Sequence, residues 1–217
     1  MTFLRRLYAL SIFGLFALLL CAAPSAAAQD GAGVQARQCL ETRVNNIFAI
    51  LQNPGFANKA SRPEYRMKIE EEVAGIFDFT EFSSRTVGPR WNSFTPEQRQ
   101  KFTEAFADLL KATYLDRIDG YNGEKMAYLG EQVSTRGDRV EVRTTLSMKG
   151  DKVVPVNYRM LPKDGNWVVY DVIIENISLV MNYRTQFQEL LLKGSPEALI
   201  ARILEQASTT RKSIDAH

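Results

Sequence analysis

Three carboxylate residues are the strongest candidates for chemistry in this sequence of 217 residues. Asp78 and Glu81 flank an aromatic turn, and Asp171 interrupts an apolar strand pattern. Burial without a partner would raise the pKa of the Asp171 carboxyl and suit it to general-acid catalysis. The alternative is structural, with Asp171 paired to an arginine, for which Arg184 is one candidate, or accepting backbone hydrogen bonds. We favour the structural interpretation because an unpaired buried charge costs several kcal/mol.

Most other catalytic chemistry lacks its residues in this sequence. The only histidine is His217, the last residue, so histidine acid–base catalysis and ordinary histidine-containing zinc sites have no ligands elsewhere. The sequence contains no P-loop, no G-x-G-x-x-G and no C-x-x-C motif. We therefore expect a protein that is not an enzyme and that uses no cofactor and no metal.

Residues 1–28 predict a secretory signal peptide. Two arginines precede an apolar run over 7–20, and the small residues of 26–28 provide an A-x-A cleavage pattern. The apolar run is shorter than the about 20 residues of a membrane span. A lipoprotein signal at Cys21 is disfavoured because the residue before it, Leu20, is large. The sequence therefore predicts export of the mature chain.

The mature chain is electrically neutral and has one cysteine. Removal of the signal peptide takes away Arg5 and Arg6, so the formal net charge falls from +2 to zero and a nucleic-acid partner is disfavoured. Cys39 has no second cysteine to pair with, so an apolar core must hold the fold. Residues 29–207 suit a single domain. We expect residues 208–217 to form a disordered tail.

The spacing of apolar residues predicts helices first and strands afterwards. Periods near 3.6 predict helices over 34–51, after Ser61, and from the capping sequence at 95–98 to about Asp119. From Met126 the period changes to 2, and polar turns separate four predicted strands, after which helices resume. The pattern predicts an α+β fold, in which a twisted antiparallel meander of four or slightly more strands packs against several helices.

The segment Trp167–Phe187 joins the last predicted strand of the meander to a helix. Both faces of the strand are largely apolar, so it needs cover on both sides. Ser178 can cap the following helix, whose apolar residues recur every three or four positions. Strand and helix are therefore expected to pack as a corner.

This segment resembles the MlaC or toluene-tolerance auxiliary family, the periplasmic phospholipid-binding proteins of the Mla (maintenance of lipid asymmetry) system. The matching pattern is W-x-x-Y-D-V, then S-L, then Y-R-x-x-F. Further matches are Phe77-Asp78-Phe79, Val87-Gly88-Pro89-Arg90-Trp91, and Thr95-Pro96-Glu97-Gln98 followed by Phe102, Phe106, Leu110 and Tyr114. Their order extends the resemblance from roughly Val34 to Leu204. One departure is Val87, where family members often carry leucine.

The resemblance implies a periplasmic lipid carrier that holds acyl chains between the sheet and the helices, with the headgroup near solvent. It also implies partners: an inner-membrane ABC transporter with an MCE-domain subunit, and an outer-membrane lipoprotein–porin complex. Shuttling of a phospholipid between them would maintain outer-membrane lipid asymmetry. Some relatives are associated with hopanoid synthesis, and the residues do not separate hopanoid from phospholipid cargo or give the direction of transport.

Pattern and resemblance together predict which residues line the lipid cavity. The predicted lining residues are Phe77, Phe79, Phe82, Val142, Val156, Tyr158, Val172, Ile174, Ile177, Val180 and Tyr183. The alternative for each aromatic residue is an ordinary place in a filled core. A diacyl lipid has roughly 30 methylenes, and each methylene left in water costs about 0.8 kcal/mol. Both acyl chains must therefore be enclosed. We expect a cavity near or above the upper end of the usual range of about 300 to 1,000 Å³.

Two other classes of function are consistent with the same residues. An enzyme would use a similar conical pocket with Asp171 or Asp78 as acid or base and a tyrosine as partner. A binding module would recognise an exported polypeptide instead of a lipid. For the carrier, the neutral mature charge predicts capture through the acyl chains and weak discrimination between headgroups.

Overall fold

A computed structural model of the chain describes residues 26–115, 118, 120–150 and 152–215. The elements before the sheet are α1 (Ala26–Leu51), α2 (Pro54–Ala57), α3 (Arg62–Ile76), α4 (Phe79–Val87), a 3₁₀ helix (Gly88–Ser93), α5 (Pro96–Leu110) and a π-helical turn (Lys111–Leu115). The strands are β1 (Lys125–Val133), β2 (Val140–Ser147), β3 (Val153–Lys163), β4 (Asn166–Ile174) and β5 (Ile177–Ser178). The chain then continues into α6 (Leu179–Lys193) and α7 (Pro196–Asp215).

The strands of the described residues form one antiparallel meander in the order β1-β2-β3-β4-β5. This arrangement confirms the predicted α+β fold, with the two-residue β5 as an addition to the four long strands. The register shifts between Tyr128 and Gly130 in β1 and between Arg159 and Met160 in β3. Such bulges bend a strand and increase its twist, which helps the sheet to curve around the helices.

An aromatic cluster joins α5 to α6 and forms the centre of the core. The ring of Phe106 lies 4.9 Å from that of Tyr183, and the ring of Phe102 lies 5.5 Å from that of Phe187, both centroid to centroid and nearly edge to face. Edge-to-face aromatic pairs contribute about 0.5–1.5 kcal/mol beyond their burial. The inward stripe of α6 therefore meets aromatic rings of α5, while α6 also packs against α4 and α7 packs against α5.

The helix α5 begins as predicted but ends earlier. The Thr95 N–H donates to Gln98 Oε1 at 2.8 Å, and the Gln98 N–H donates to Thr95 Oγ1 at 3.2 Å, so the capping box is formed. The regular helix stops at Leu110 instead of continuing to about residue 119, because the next five residues wind as a π-helical turn. Single π-helical turns of this kind are frequent at functional sites.

The first and last helices extend farther than the sequence-based expectation. Helix α1 begins at Ala26, so residues 26–28 of the predicted signal peptide are helical, and residues 1–25 lie outside the described residues. The predicted disordered tail is wrong over residues 208–215, which continue α7. The Arg211 guanidinium holds that last segment to α5, since its two terminal nitrogens lie 2.9 and 2.6 Å from the two carboxylate oxygens of Asp108. Residues 216–217 lie outside the described residues.

None of the helices, over the residues that the structure describes, has a stretch long and apolar enough to cross a lipid bilayer.

Candidate functional site

An apolar cavity of about 550 Å³ lies between the sheet and the helices. Its sheet wall consists of side chains from β1 to β4, which include Val156 and Val172. Its helical wall comes from α1, α3, α4 and the π-helical turn. This volume is in the middle of the usual pocket range of about 300 to 1,000 Å³, and is therefore smaller than the sequence-based expectation for two acyl chains.

Seven of the predicted lining residues line this apolar cavity. They are Phe77, Phe79, Phe82, Val156, Tyr158, Val172 and Ile174. The strand residues share one face because Tyr158 is the direct cross-strand neighbour of Val172, and Val156 is that of Ile174. The phenylalanines belong to the short connection from α3 to α4 and to the first turn of α4, at one end of the apolar cavity. Their contact with a lipid stays a prediction.

Four predicted lining residues lie elsewhere. Val142 is the cross-strand neighbour of Tyr158 and lies on the same face of the sheet. It is nevertheless fully buried in the core, in the strand β2 against which α1 packs. Val180 and Tyr183 are also core residues, since both are buried and the Tyr183 ring packs against Phe106 of α5. Ile177 belongs to β5 and its side chain is 59% exposed to solvent.

The apolar stripe of α1 and the π-helical turn supply lining residues that were not predicted. The α1 contribution includes Leu40, Val44, Ile47, Phe48 and Leu51. Tyr114 and Leu115 of the π-helical turn close another side. These five residues recur at helical spacing and so share one face of α1. Such spacing does not distinguish a face that packs against other side chains from a face that lines a cavity.

The opening of the apolar cavity lies between the π-helical turn and the β2–β3 connection. Tyr114 and Met148 line the cavity and are also 44% and 40% exposed, so they stand at its edge. Arg43, Lys111 and Glu124 are the charged lining residues within the described part of the chain.

Two of these charges are paired with carboxylates of α3. Arg43 Nη1 lies 2.9 Å from Glu72 Oε2, and Lys111 Nζ lies 2.6 Å from Glu70 Oε2. The two ion pairs tie α1 and the π-helical turn to α3 beside the cavity. Because all four side chains are partly exposed, each pair contributes at most about 1 kcal/mol.

The hydroxyl of Tyr158 adds a polar atom to an otherwise apolar wall. Burial raises the pKa of Tyr158 far above its ordinary value, with the neighbouring Tyr128 as a second cause in the same direction. The phenol therefore stays neutral at physiological pH, and the sheet wall acquires no charge from it.

The candidate catalytic carboxylates take part in structural hydrogen bonds. Asp171 is 2% exposed, and Arg159, not Arg184, is its charged partner, with Nη1 3.3 Å from Asp171 Oδ2. The same carboxylate accepts hydrogen bonds from Ser178 Oγ at 2.7 Å and from the Val180 N–H at 3.0 Å. The structural interpretation of Asp171 is therefore confirmed in its geometry.

Asp78 caps α4 and bonds to the far end of β3. Its Oδ1 accepts a hydrogen bond from the Glu81 N–H at 3.0 Å, and its Oδ2 lies 2.5 Å from Lys163 Nζ. Within the described ranges, no three His, Cys, Asp or Glu side chains come together as metal ligands would. These contacts give Asp78 a structural role at the connection between α3 and α4.

Comparisons with known proteins agree with this architecture. The phospholipid-binding protein from Ralstonia solanacearum, solved in complex with a phospholipid, has the same fold, with a TM-score of 0.71 at 24% identity over 81% of this chain and 98% of that one. The intermembrane phospholipid transport system binding protein MlaC of Haemophilus influenzae is 23% identical over 167 residues, which are 75% of this chain and 74% of the relative. The toluene tolerance protein ttg2D of Pseudomonas putida is 29% identical over 100 residues, 46% of each chain.

The model of the MlaC protein family matches residues 41–205, which contain the whole sheet and most of the residues that line the apolar cavity. This match covers well over half of the sequence, and it confirms the resemblance that the motifs from Phe77 to Phe187 indicated. The chain belongs to the MlaC family.

Proposed function

We propose that this protein is a periplasmic carrier that binds the acyl chains of a phospholipid and shuttles the lipid between outer-membrane and inner-membrane complexes. The observation that carries the proposal is the apolar cavity between the sheet and the helices. The names of the relatives support the same cargo, since one is a phospholipid transport binding protein and another was solved with a phospholipid bound.

The energetics of a lipid in water explain why such a carrier needs this cavity. Exposing roughly 30 methylenes at about 0.8 kcal/mol each costs on the order of 20 kcal/mol. An apolar wall that removes most of this surface from water supplies the binding energy without any specific bond. The observed volume suits a ligand of ordinary drug size, so we expect the cavity to enlarge when two acyl chains enter.

Transport requires a donor and an acceptor for the lipid. We propose an outer-membrane lipoprotein–porin complex on one side and an inner-membrane ABC transporter with an MCE-domain subunit on the other, with maintenance of outer-membrane lipid asymmetry as the result. The description of the Haemophilus relative as an intermembrane transport protein supports this. Such a carrier is not an enzyme, and the hydrogen bonds of Asp171 give that residue a structural task instead.

The experiment that tests the function is native mass spectrometry of the protein purified from a bacterial periplasm, followed by solvent extraction and identification of the released lipid. We expect one diacyl phospholipid per chain. An extracted hopanoid would keep the carrier but change its cargo. A ligand-free mass, from protein that also takes up no added phospholipid, would reject the carrier and favour a protein-binding module or a pocket enzyme.

A second step tests the shuttling. Vesicles made from inner-membrane and outer-membrane lipids, with labelled phospholipid in one population, should exchange label faster when the protein is added together with the membrane complexes of its host. Lipid binding without accelerated exchange would show a storage protein, and the proposed transport between complexes would be wrong.

A further inference from the structure

A second cavity lies directly behind one wall of the apolar cavity. This polar cleft, about 400 Å³ in volume, is lined by polar and charged residues that include Asp78, Lys163 and Asn166. Phe77 and Phe79 line both the apolar cavity and the polar cleft, and they are the residues that the two linings share. The two phenylalanines therefore stand as a partition between them.

The polar cleft and the opening of the apolar cavity lie at opposite ends of the sheet. The opening is beside Met148, next to the β2–β3 connection where β3 begins at Val153. The polar cleft is beside Lys163, where β3 ends. Strand residues rise about 3.3 Å each, so the two ends of this strand are roughly 30 Å apart. The Phe77–Phe79 partition is thus the inner end of the apolar cavity, farthest from the point where a lipid enters.

The partition is held in place by the residue between its two rings. The rings of Phe77 and Phe79 stack with centroids 5.8 Å apart and planes 20° from parallel. The Asp78 N–H donates to the Val169 carbonyl of β4 at 3.0 Å, and the Asp78 carboxylate caps α4 and pairs with Lys163. The backbone between the rings is therefore fixed to two strands and one helix.

We propose that Phe77 and Phe79 form the floor of the lipid site and set the longest acyl chain that the protein accepts. This inference rests on the proposed carrier function and adds the property of the cargo that the site selects. An acyl chain that enters beside Met148 ends against the two rings. A longer chain has to leave methylenes in water at the opening or displace the partition into the polar cleft, and each methylene left in water weakens binding by about fourfold, converted from about 0.8 kcal/mol.

The test measures chain-length preference directly. Delipidated protein is mixed with an equimolar series of saturated phosphatidylcholines that differ only in acyl-chain length, and native mass spectrometry gives the fraction of protein bound to each. The test variants are Phe77→Ala and Phe79→Ala, each of which removes part of the partition and joins the apolar cavity to the polar cleft. The variants Phe77→Leu and Phe79→Leu shorten the floor side chains by less, so they should shift the preference in the same direction by a smaller amount. They serve if an alanine variant does not fold, as judged by far-ultraviolet circular dichroism.

A matched control enlarges the polar cleft without opening the partition. Val168→Ala removes a side chain that lines the polar cleft and not the apolar cavity. We expect the preferred chain to lengthen by two or more methylenes in the partition variants, with about a tenfold or greater gain for the longer lipids relative to wild type. The Val168→Ala control should keep the wild-type preference.

Three results are informative in different ways. A longer preferred chain in the partition variants alone supports the floor. An unchanged preference in folded partition variants, or an equal change in Val168→Ala, overturns it while the carrier function stands. Failure of the wild-type protein to bind any member of the series overturns both the floor and the carrier.

Discussion

Asp171 in β4 accepts a hydrogen bond from Ser178 Oγ at 2.7 Å, and this contact fixes the corner between the sheet and α6. Ser178 in turn caps α6 by accepting a hydrogen bond from the Met181 N–H at 3.1 Å. The Val180 N–H, also in the first turn of α6, donates to the second oxygen of Asp171. A buried carboxylate is therefore stabilised by the unpaired amide groups at a helix start and by Arg159.

This corner predicts that Asp171→Asn reduces stability but leaves lipid binding intact. The amide side chain loses the ionic partner and one of the two acceptor oxygens, and hydrogen bonds to charged groups contribute about 1.5–3 kcal/mol. We expect a loss of about 1–3 kcal/mol in the free energy of unfolding, measured by urea denaturation, and an unchanged number of lipids per chain. A variant as stable as wild type that had lost an enzymatic turnover would favour the acid–base alternative.

Filling the apolar cavity should block lipid uptake. Val172→Trp places a large ring among lining residues of the sheet, and we expect lipid bound per chain, measured by native mass spectrometry, to fall at least tenfold. Ile177→Asp is the matched control, because Ile177 is exposed and outside the lining, and it should bind lipid as wild type does. The opposite order of effects would place the lipid at β5 and contradict the assignment of the cavity.

The ion pair between Arg211 of α7 and Asp108 of α5 should make a small, pH-dependent contribution to the free energy of unfolding. Arg211 lowers the pKa of the Asp108 carboxyl below its ordinary value of 3.8 through hydrogen bonding and charge, against a smaller opposing effect of burial. Because the folded-state pKa is depressed, the stabilisation is present above the unfolded-state value and disappears as the pH falls through the folded-state value. Both side chains are more than one third exposed, so screening limits the contribution to about 1 kcal/mol at most.

The measurement is the difference in urea midpoint between wild type and Asp108→Asn. We expect a small loss of stability near neutral pH that begins to shrink below about pH 4 and vanishes as the pH falls through the folded-state pKa of Asp108. Glu205→Gln, which removes one partner of an exposed pair within α7, is the control and should show almost no loss. A difference for Asp108→Asn that persists unchanged in acid would show that the ion pair is not its origin.

The aromatic core should weaken in alkaline solution. Burial raises the pKa of Tyr183 from its ordinary value of 10.0 to about 12, with smaller effects from Tyr114 and Thr113. The folded-state pKa lies above the unfolded-state value, so this stabilisation is complete below pH 10 and is lost as the pH rises toward 12. Wild-type stability should therefore fall in this window.

Tyr183→Phe identifies the share of the alkaline loss that belongs to this residue. Phenylalanine keeps the ring contact with Phe106 and has no proton to lose. The free energy of unfolding is measured by urea denaturation at each pH. We expect it to decline less steeply between pH 10 and 12 in Tyr183→Phe than in wild type. Parallel curves for the two proteins would assign the decline to other groups, of which Tyr128, with a pKa raised by burial to about 12, is the next candidate.

The sequence by itself determined the order of the main helices and strands and the fold class, because these depend largely on local patterns. The capping box at Thr95 and Gln98, the Ser178 cap and the change of period near Met126 are all present in the structure. The prediction from sequence was wrong where a helix is held by contacts with residues distant in the sequence. The tail beyond residue 208 has few apolar residues, and its helix is held in part by the distant Asp108.

Only the tertiary structure decided which apolar residues face a void. Leu40 on α1 and Tyr183 on α6 belong to equally regular apolar stripes, yet Leu40 lines the apolar cavity and Tyr183 packs against Phe106. The periodicity of apolar residues predicts that a side chain is buried. It does not predict whether that side chain packs against other side chains or lines a cavity. The partner of Asp171 shows the same limit, because Arg159 reaches it through the strand register beside a bulge, and such a register is set by packing across the sheet.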